Sequence, residues 1–233
     1  MPADLSDRFS RQTLLIGEEG QLRLSQASVL IVGLGGLGAP VATYLAGAGT
    51  GHLGLADPDT VSLSNLHRQT LYSEAQTGMP KTEAAAERLR AISAGIRLSL
   101  YPEGLTPLNA RRTVGLYDLV IDCTDNFAAR YLIEDAAVAG GKPWVYGAIG
   151  EYSGQVSVFN HLKGRRYSGL YPEREELCAL PRTTSGVLGP LPGVIGAMQA
   201  SEAIKIITGI GETAEGKLLS IDLLTLRTET ITF

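Results

Sequence analysis

The chain has 233 residues, 44% of them hydrophobic and 19% charged, and its net charge is −4. That length buries one sizeable core, with room for a subsidiary lobe, and the charge leaves no basic surplus for nucleic acid or an anionic membrane. No apolar run reaches the roughly 18 residues of a membrane span, and two cysteines, Cys123 and Cys178, exclude a disulfide framework and any zinc site of four thiolates from one chain.

The start, "MPADLSDRFSRQ", is acidic and polar with no signal-peptide pattern, so a cytoplasmic protein is expected. Residues 8–26 read as a helix anchored by Leu14, Leu15, Leu22 and Leu24. "SVLIVG" is the first strand, and residues 36–48 are a small-residue helix. "HLGLAD" is the next strand and ends at Asp57; residues 60–78 are polar and irregular. Pro80 suits the first position of a helix that continues through "KTEAAAERLRAI". "IRLSLYP" is a strand, "TPLNARRTVG" a short helix, and "YDLVIDC" a continuous apolar strand of the kind buried in a parallel sheet. A helix over 127–139 and a strand at "KPWVYGAI" complete this half.

The pattern then changes. "GQVSVFN" follows by a short turn, so it reads as antiparallel. Residues 160–190 show no period and read as a long loop. "PGVIGAMQASEAIKIITG" is a helix, and "KLLSIDLLTLRTETITF" is a closing hairpin. The expected fold is α/β: a doubly wound, Rossmann-like, mostly parallel sheet with an antiparallel C-terminal extension. It forms one domain over 1–233, with a nucleotide-binding half at 1–150 and the extension at 151–233.

The pattern Gly33-x-Gly35-x-x-Gly38 lies between the first strand and its helix. Glycines there allow a tight turn and close phosphate approach, and the helix N-terminus offers N–H donors to an anion. Alone, the motif means nucleotide and says nothing of chemistry. Asp57, at the end of the second strand, can accept hydrogen bonds from a ribose, as a dehydrogenase would also require. The discriminating residues follow it. Asp59, Ser64, Asn65, Arg68 and Gln69 lie in the polar loop, and Lys81 starts the next helix. Two cations over a triphosphate suit chemistry at phosphorus, where charge builds on oxygen; hydride transfer has no such need. "DCTDN" places Asp125 and Asn126 beside the same crevice, and a carboxylate near phosphates is a natural Mg²⁺ ligand. Asp125 as a plain helix cap is the bland alternative. Asp122, inside the strand, reads as structural.

These residues, with "RFSRQ", "DPDTVSLSNLHRQTL", "GMPKTEAA" and "GVLGPLPGVIGAMQASEAIK", resemble the MoeB/ThiF/HesA adenylyltransferases, bacterial relatives of the ubiquitin-activating enzymes. The resemblance covers nearly the whole chain. It implies that ATP and Mg²⁺ bind, and that the C-terminal Gly-Gly carboxylate of a small ubiquitin-like sulfur-carrier protein is adenylated with loss of pyrophosphate. It also implies that Gly36 lies against the phosphates, Asp57 holds the ribose, Asn65, Arg68 and Lys81 contact phosphates, and Asp125 binds magnesium. Arg11 resembles an arginine that reaches into a partner subunit's site, which implies a homodimer.

The chain departs from the family at its cysteines. Many members hold zinc with two Cys-x-x-Cys pairs. Here the first pair is replaced in "RYSGLYP" by Arg166 and Gly169, and the second is absent from "RTETITF", so no structural zinc is expected. The family's loop cysteine falls on Arg182, with Cys178 earlier in the loop, so a thioester or persulfide step on this chain stays open, as does a separate sulfurtransferase. Adenylation of another carboxylate (peptide or tRNA-linked), an NAD(P)-dependent oxidoreductase and a non-catalytic docking module are the competing functions.

Overall fold

Strand β1 (Ser28–Val32) is apolar on both faces because both faces are covered. Val29 and Ile31 enter one core, and Leu30 and Val32 enter the other. The structure is a computed structural model and describes residues 7–181 and 186–233; Arg182 lies outside the described residues. Helix α1 (Ser10–Gln26) precedes β1, and α2 (Gly38–Ala48) leads to β2 (His52–Ala56). After a long polar excursion come α3 (Lys81–Ile92), β3 (Arg97–Tyr101), α4 (Ala110–Gly115) and β4 (Leu119–Asp122). Next are α5 (Phe127–Gly140), β5 (Trp144–Gly150), β6 (Ser153–Phe159), α6 (Tyr167–Leu170) and α7 (Arg174–Ala179). Helix α8 (Pro190–Thr208), β7 (Lys217–Asp222) and β8 (Arg227–Thr232) complete the chain.

The strands form one sheet in the order β3-β2-β1-β4-β5-β6-β7-β8. The first five are parallel, and β6, β7 and β8 pair antiparallel. Helices α2, α3 and α8 pack on one face through Leu45, Leu89 and Ile195. Helices α4 and α5 pack on the other through Val114, Tyr131 and Ile133. The strand order reverses between β1 and β4, which opens a crevice at their carboxyl ends.

Four local expectations differ from the structure. Of the leucines read as anchors of α1 only Leu24 is buried, while Leu14, Leu15 and Leu22 are exposed. Helix α1 is broken at Gly17, whose φ of 70° and ψ of 169° lie outside helical geometry. Helix α8 begins at Pro190, ahead of the expected start, because prolines fit a first turn whose N–H groups have no helical partner. The segment read as a loop, 160–190, holds α6 and α7, both too short for a periodicity to register. Tertiary contacts hold them. Tyr167 is fully buried, 5.2 Å from the Tyr131 ring and 5.8 Å from Trp144. Ser168 donates to the Glu134 carboxylate through both its N–H (2.9 Å) and its hydroxyl (3.1 Å). Arg174 grips Asp135 with two bonds of 3.0 and 2.7 Å. "KGRR" is a solvated turn at the end of β6 away from the crevice, where Glu215 accepts the backbone N–H groups of His161, Lys163 and Arg165.

Candidate active site

The glycine turn is shaped by what lies under it. Gly33 has φ +91°, and a Cβ there would stand 2.6 Å from the Cys123 carbonyl oxygen of the neighbouring strand end. Gly38 is buried with its Cα against the Gly33 carbonyl, so it closes the turn from behind. Asp57 braces the same turn. Its Oδ2 accepts the Leu34 N–H at 2.6 Å, and its Oδ1 accepts the Asp59 N–H at 2.8 Å. Burial pushes the Asp57 carboxyl above its ordinary range; Lys81 and the two backbone donors pull it back. Each carboxylate oxygen keeps a lone pair for a further donor.

Lys81 is far from Asp57 in sequence and beside it in space. The excursion between them closes on itself: Thr60 bridges Pro80, and the Lys81 N–H donates to the Asp59 carbonyl at 3.0 Å. The ammonium then lies 2.9 Å from Asp59 Oδ2 and 3.9 Å from Asp57 Oδ1. Its side chain is 5% exposed, so the charge is presented to the crevice with little competition from water. Arg68 comes from the same excursion. Its Nη1 donates to the Ser64 carbonyl at 3.2 Å and to His67 Nε2 at 2.8 Å. Arginine only donates, so Nε2 of His67 is the acceptor nitrogen. Gln69 is buried against Gly35, and its Oε1 has no partner.

On the far side, the β4–α5 turn carries Asp125. Asn126, and not Asp125, caps α5: Asn126 Oδ1 accepts the Ala129 N–H at 2.9 Å, while its Nδ2 donates to Asp125 Oδ1 at 3.2 Å. Asp125 is exposed and otherwise uncommitted. Asp122 is structural: fully buried, it accepts the Thr124 N–H (2.9 Å) and hydroxyl (2.6 Å). Burial raises its pKa to about 6, against the pull of Arg130.

These elements enclose one cleft of about 780 Å³. From the sequence-derived set it is lined by Gly33, Gly35 and Gly36 on the glycine turn and by Asp57 and Asp59 after β2. Asn65, Arg68, Gln69 and Lys81 line the excursion side, and Asp125 and Asn126 close the other. Gly38 and Ser64 support the cleft without lining it, and Arg11 lies on the exposed surface of α1. Arg130 and Arg174 also line it, and sequence reading passed over both. An arginine in an amphipathic helix gives no signal, since such residues are usually solvated.

The donor chemistry fits a nucleoside triphosphate with magnesium. Gly33, Gly35 and Gly36 line the cleft without side chains, which leaves the backbone of the turn open to close approach by phosphate. Among the described residues no three His, Cys, Asp or Glu side chains gather as a metal cage. One carboxylate beside phosphates is how Mg²⁺ is commonly held, with phosphate oxygens and water as its remaining ligands. No helix among the described residues is long and apolar enough to cross a membrane.

A family model described as the ThiF family matches residues 9–233. The sulfur carrier protein adenylyltransferase of Thermus thermophilus is 47% identical over 226 residues, covering 94% of this chain and 83% of that protein. Adenylyltransferase and sulfurtransferase MOCS3-1 of Zea mays is 46% identical over 230 residues, covering 97% of this chain and 49% of that protein. The chain spans about half the length of the MOCS3 relatives it matches. Among solved structures, E. coli MccB with ATP aligns with a TM-score of 0.84 at 23% identity, covering 97% of this chain and 71% of that one. PaaA aligns with a TM-score of 0.85 at 23% identity, covering 100% of this chain and 74% of that one. These two likenesses show a shared fold.

Proposed function

The chain belongs to the ThiF family, and from that premise we propose that it is an ATP-dependent adenylyltransferase acting on the C-terminal Gly-Gly carboxylate of a small ubiquitin-like sulfur-carrier protein. The observation that carries this reading is the convergence of Arg68, Lys81 and Asp125 on the glycine turn, in one cleft. A carboxylate oxygen of the carrier attacks the α-phosphorus of ATP. The bond from that phosphorus to the bridging oxygen breaks, pyrophosphate leaves, and an acyl-adenylate remains. Two anions must meet, so the work of the site is positioning and charge neutralisation. Gly36 receives the phosphates, Asp57 the ribose, and Asn65, Arg68 and Lys81 the phosphate oxygens. Asp125 would hold magnesium, which when bound supplies further neutralisation of phosphate charge. No side-chain nucleophile is needed, so Cys178 has no part in this step.

The whole chain acts as one adenylation domain in this reading, as a homodimer in the cytoplasm where ATP is supplied. Zinc is not part of it: where relatives carry a first cysteine pair, Arg166 and Gly169 stand, and Tyr167 between them is buried in the aromatic core. Sulfur transfer to the activated carrier would fall to a separate sulfurtransferase. Support for the carrier comes from the relative named for that activity, 47% identical over 94% of this chain.

The test is ATP–pyrophosphate exchange with Gly-Gly carrier proteins, with and without Mg²⁺. Carrier-dependent, Mg²⁺-dependent exchange is the expected result. ATP binding without exchange on any carrier would turn the reading toward another carboxylate. Binding of NAD(P)H in place of ATP would overturn it.

A further inference from the structure

Two turns face each other across the crevice: the glycine turn after β1, and the β4–α5 turn that carries Asp125. Both rest on α8. Pro192 lies 3.0 Å from where a Cβ on Gly36 would stand. Gly196 comes so close that its own Cβ would stand 2.7 Å from the Leu37 carbonyl. Further along the helix is Gln199, fully buried among glycine, alanine and isoleucine. Its Nε2 donates to the Asp122 carbonyl at 2.6 Å, and its Oε1 lies 3.8 Å from Cys123 Sγ. Its amide fills the space left by the missing side chain of Gly147 on β5.

A buried amide in an apolar helix costs free energy unless it is hydrogen-bonded, and packing alone does not call for one. Here it is bonded, and at one place: the peptide from which the site's two halves diverge. The Cys123 N–H donates to the Val32 carbonyl at 2.8 Å, and the Cys123 carbonyl lies directly beneath Gly33. From the opposite face of the sheet Asp122 holds Thr124 through its N–H and hydroxyl. Asp125 projects from this doubly clamped segment.

We propose that Gln199 is a positioning residue for the metal–phosphate site: it fixes the distance between Asp125 and the glycine turn. The proposal rests on the nucleotide reading above. It follows from the tolerance of the two ligands. Magnesium demands near-octahedral geometry at about 2.0–2.1 Å, so a small drift of Asp125 weakens the metal, whereas base and ribose contacts made elsewhere in the cleft do not feel it.

The experiment measures Mn²⁺ affinity by electron paramagnetic resonance on the full chain with a non-hydrolysable ATP analogue, and metal-free analogue affinity by calorimetry. Wild type, Gln199→Met and the milder Gln199→Asn, which keeps the amide but shortens its reach, are compared. Wild type is expected to bind Mn²⁺ in a nucleotide-dependent manner. Gln199→Met should weaken that affinity about tenfold, as loss of an outer partner of a metal site commonly does, and Gln199→Asn should weaken it less. Metal-free nucleotide affinity should stay within about twofold for both. Unchanged Mn²⁺ affinity in a folded variant overturns the proposal, as does an equal loss of metal-free affinity. Failure of both variants to fold also overturns it, because Gln199 would then hold the core and not the site. Wild type without nucleotide-dependent Mn²⁺ binding overturns the nucleotide reading itself, and the wild-type arm alone reveals it.

Discussion

The ammonium of Lys81 stands 3.9 Å from the carboxylate of Asp57, with the two side chains only 5% and 6% exposed. The lysine is the largest influence holding down a carboxyl that burial pushes up. Lys81→Met removes it and leaves Asp57 with two backbone donors alone. Breaking a buried pair costs on the order of 3 kcal/mol. The sign of its pH dependence follows from the direction of the shift. With its folded pKa raised further, Asp57 in the variant destabilises the fold as pH rises through that window, and the deficit narrows as pH falls and Asp57 protonates. Urea unfolding at pH 5 and pH 7.5 checks this. A deficit that widens toward acid pH refutes the coupling. Pyrophosphate exchange should fall on the order of a hundredfold, as expected for loss of a preorganised cation at developing phosphate charge.

Asp122 makes a cleaner titration. Burial raises its pKa to about 6, above the unfolded value of about 3.9. The folded chain therefore binds this proton more tightly, and the contribution is present below about pH 4 and lost as pH rises to about 6. Asp122→Asn removes the titration. The stability of wild type relative to the variant is expected to decline by about 3 kcal/mol across that window and to stay flat above it. A difference that does not change with pH would mean that Asp122 has the same pKa folded as unfolded.

Much of this was legible in the residues, and what was missed has physical reasons. The parallel strands showed as apolar runs because both faces are buried, as Val29–Val32 illustrate. The glycine turn, Asp57, Lys81 and Asp125 stood out because each is a polar or glycine residue at a strand or helix boundary, and Arg68 because it lies in the polar excursion between two such boundaries. The loop 160–190 hid α6 and α7, which are held by Tyr167, Glu134 and Asp135 and not by any local period. Gln199 carries no signal in the sequence because its partner, the Asp122 carbonyl, is a backbone atom remote along the chain.

Asp125 and Asn126 are neighbours with separable roles. Asn126 caps α5 through the Ala129 N–H, so Asn126→Ala should cost about 1 kcal/mol of stability. Asp125 accepts only from the Asn126 side chain, so Asp125→Asn should change stability by less than about 0.5 kcal/mol. Its effect belongs to the metal: Mg²⁺-dependent exchange should be lost. Thermal unfolding and exchange measured on both variants give the two effects independently. Normal exchange in Asp125→Asn would remove Asp125 from the mechanism.

Arg11 lies on the exposed surface of α1 and is not among the residues lining its own chain's cleft. If it serves the site of a second copy, each site combines Asp125 from one subunit with Arg11 from the other. Arg11→Ala and Asp125→Ala homodimers should then both be inactive. Mixed and allowed to exchange subunits, they form heterodimers in which one site regains both residues and the other loses both. With statistical exchange half the dimers are mixed and half of their sites work, so about one quarter of wild-type activity should return. An arginine acting on its own subunit restores nothing, because every site would still lack one of the two residues. Exchange assays on the mixture, with size-exclusion chromatography to follow the dimer, decide between these. Full activity in Arg11→Ala alone would make Arg11 a solvated surface residue.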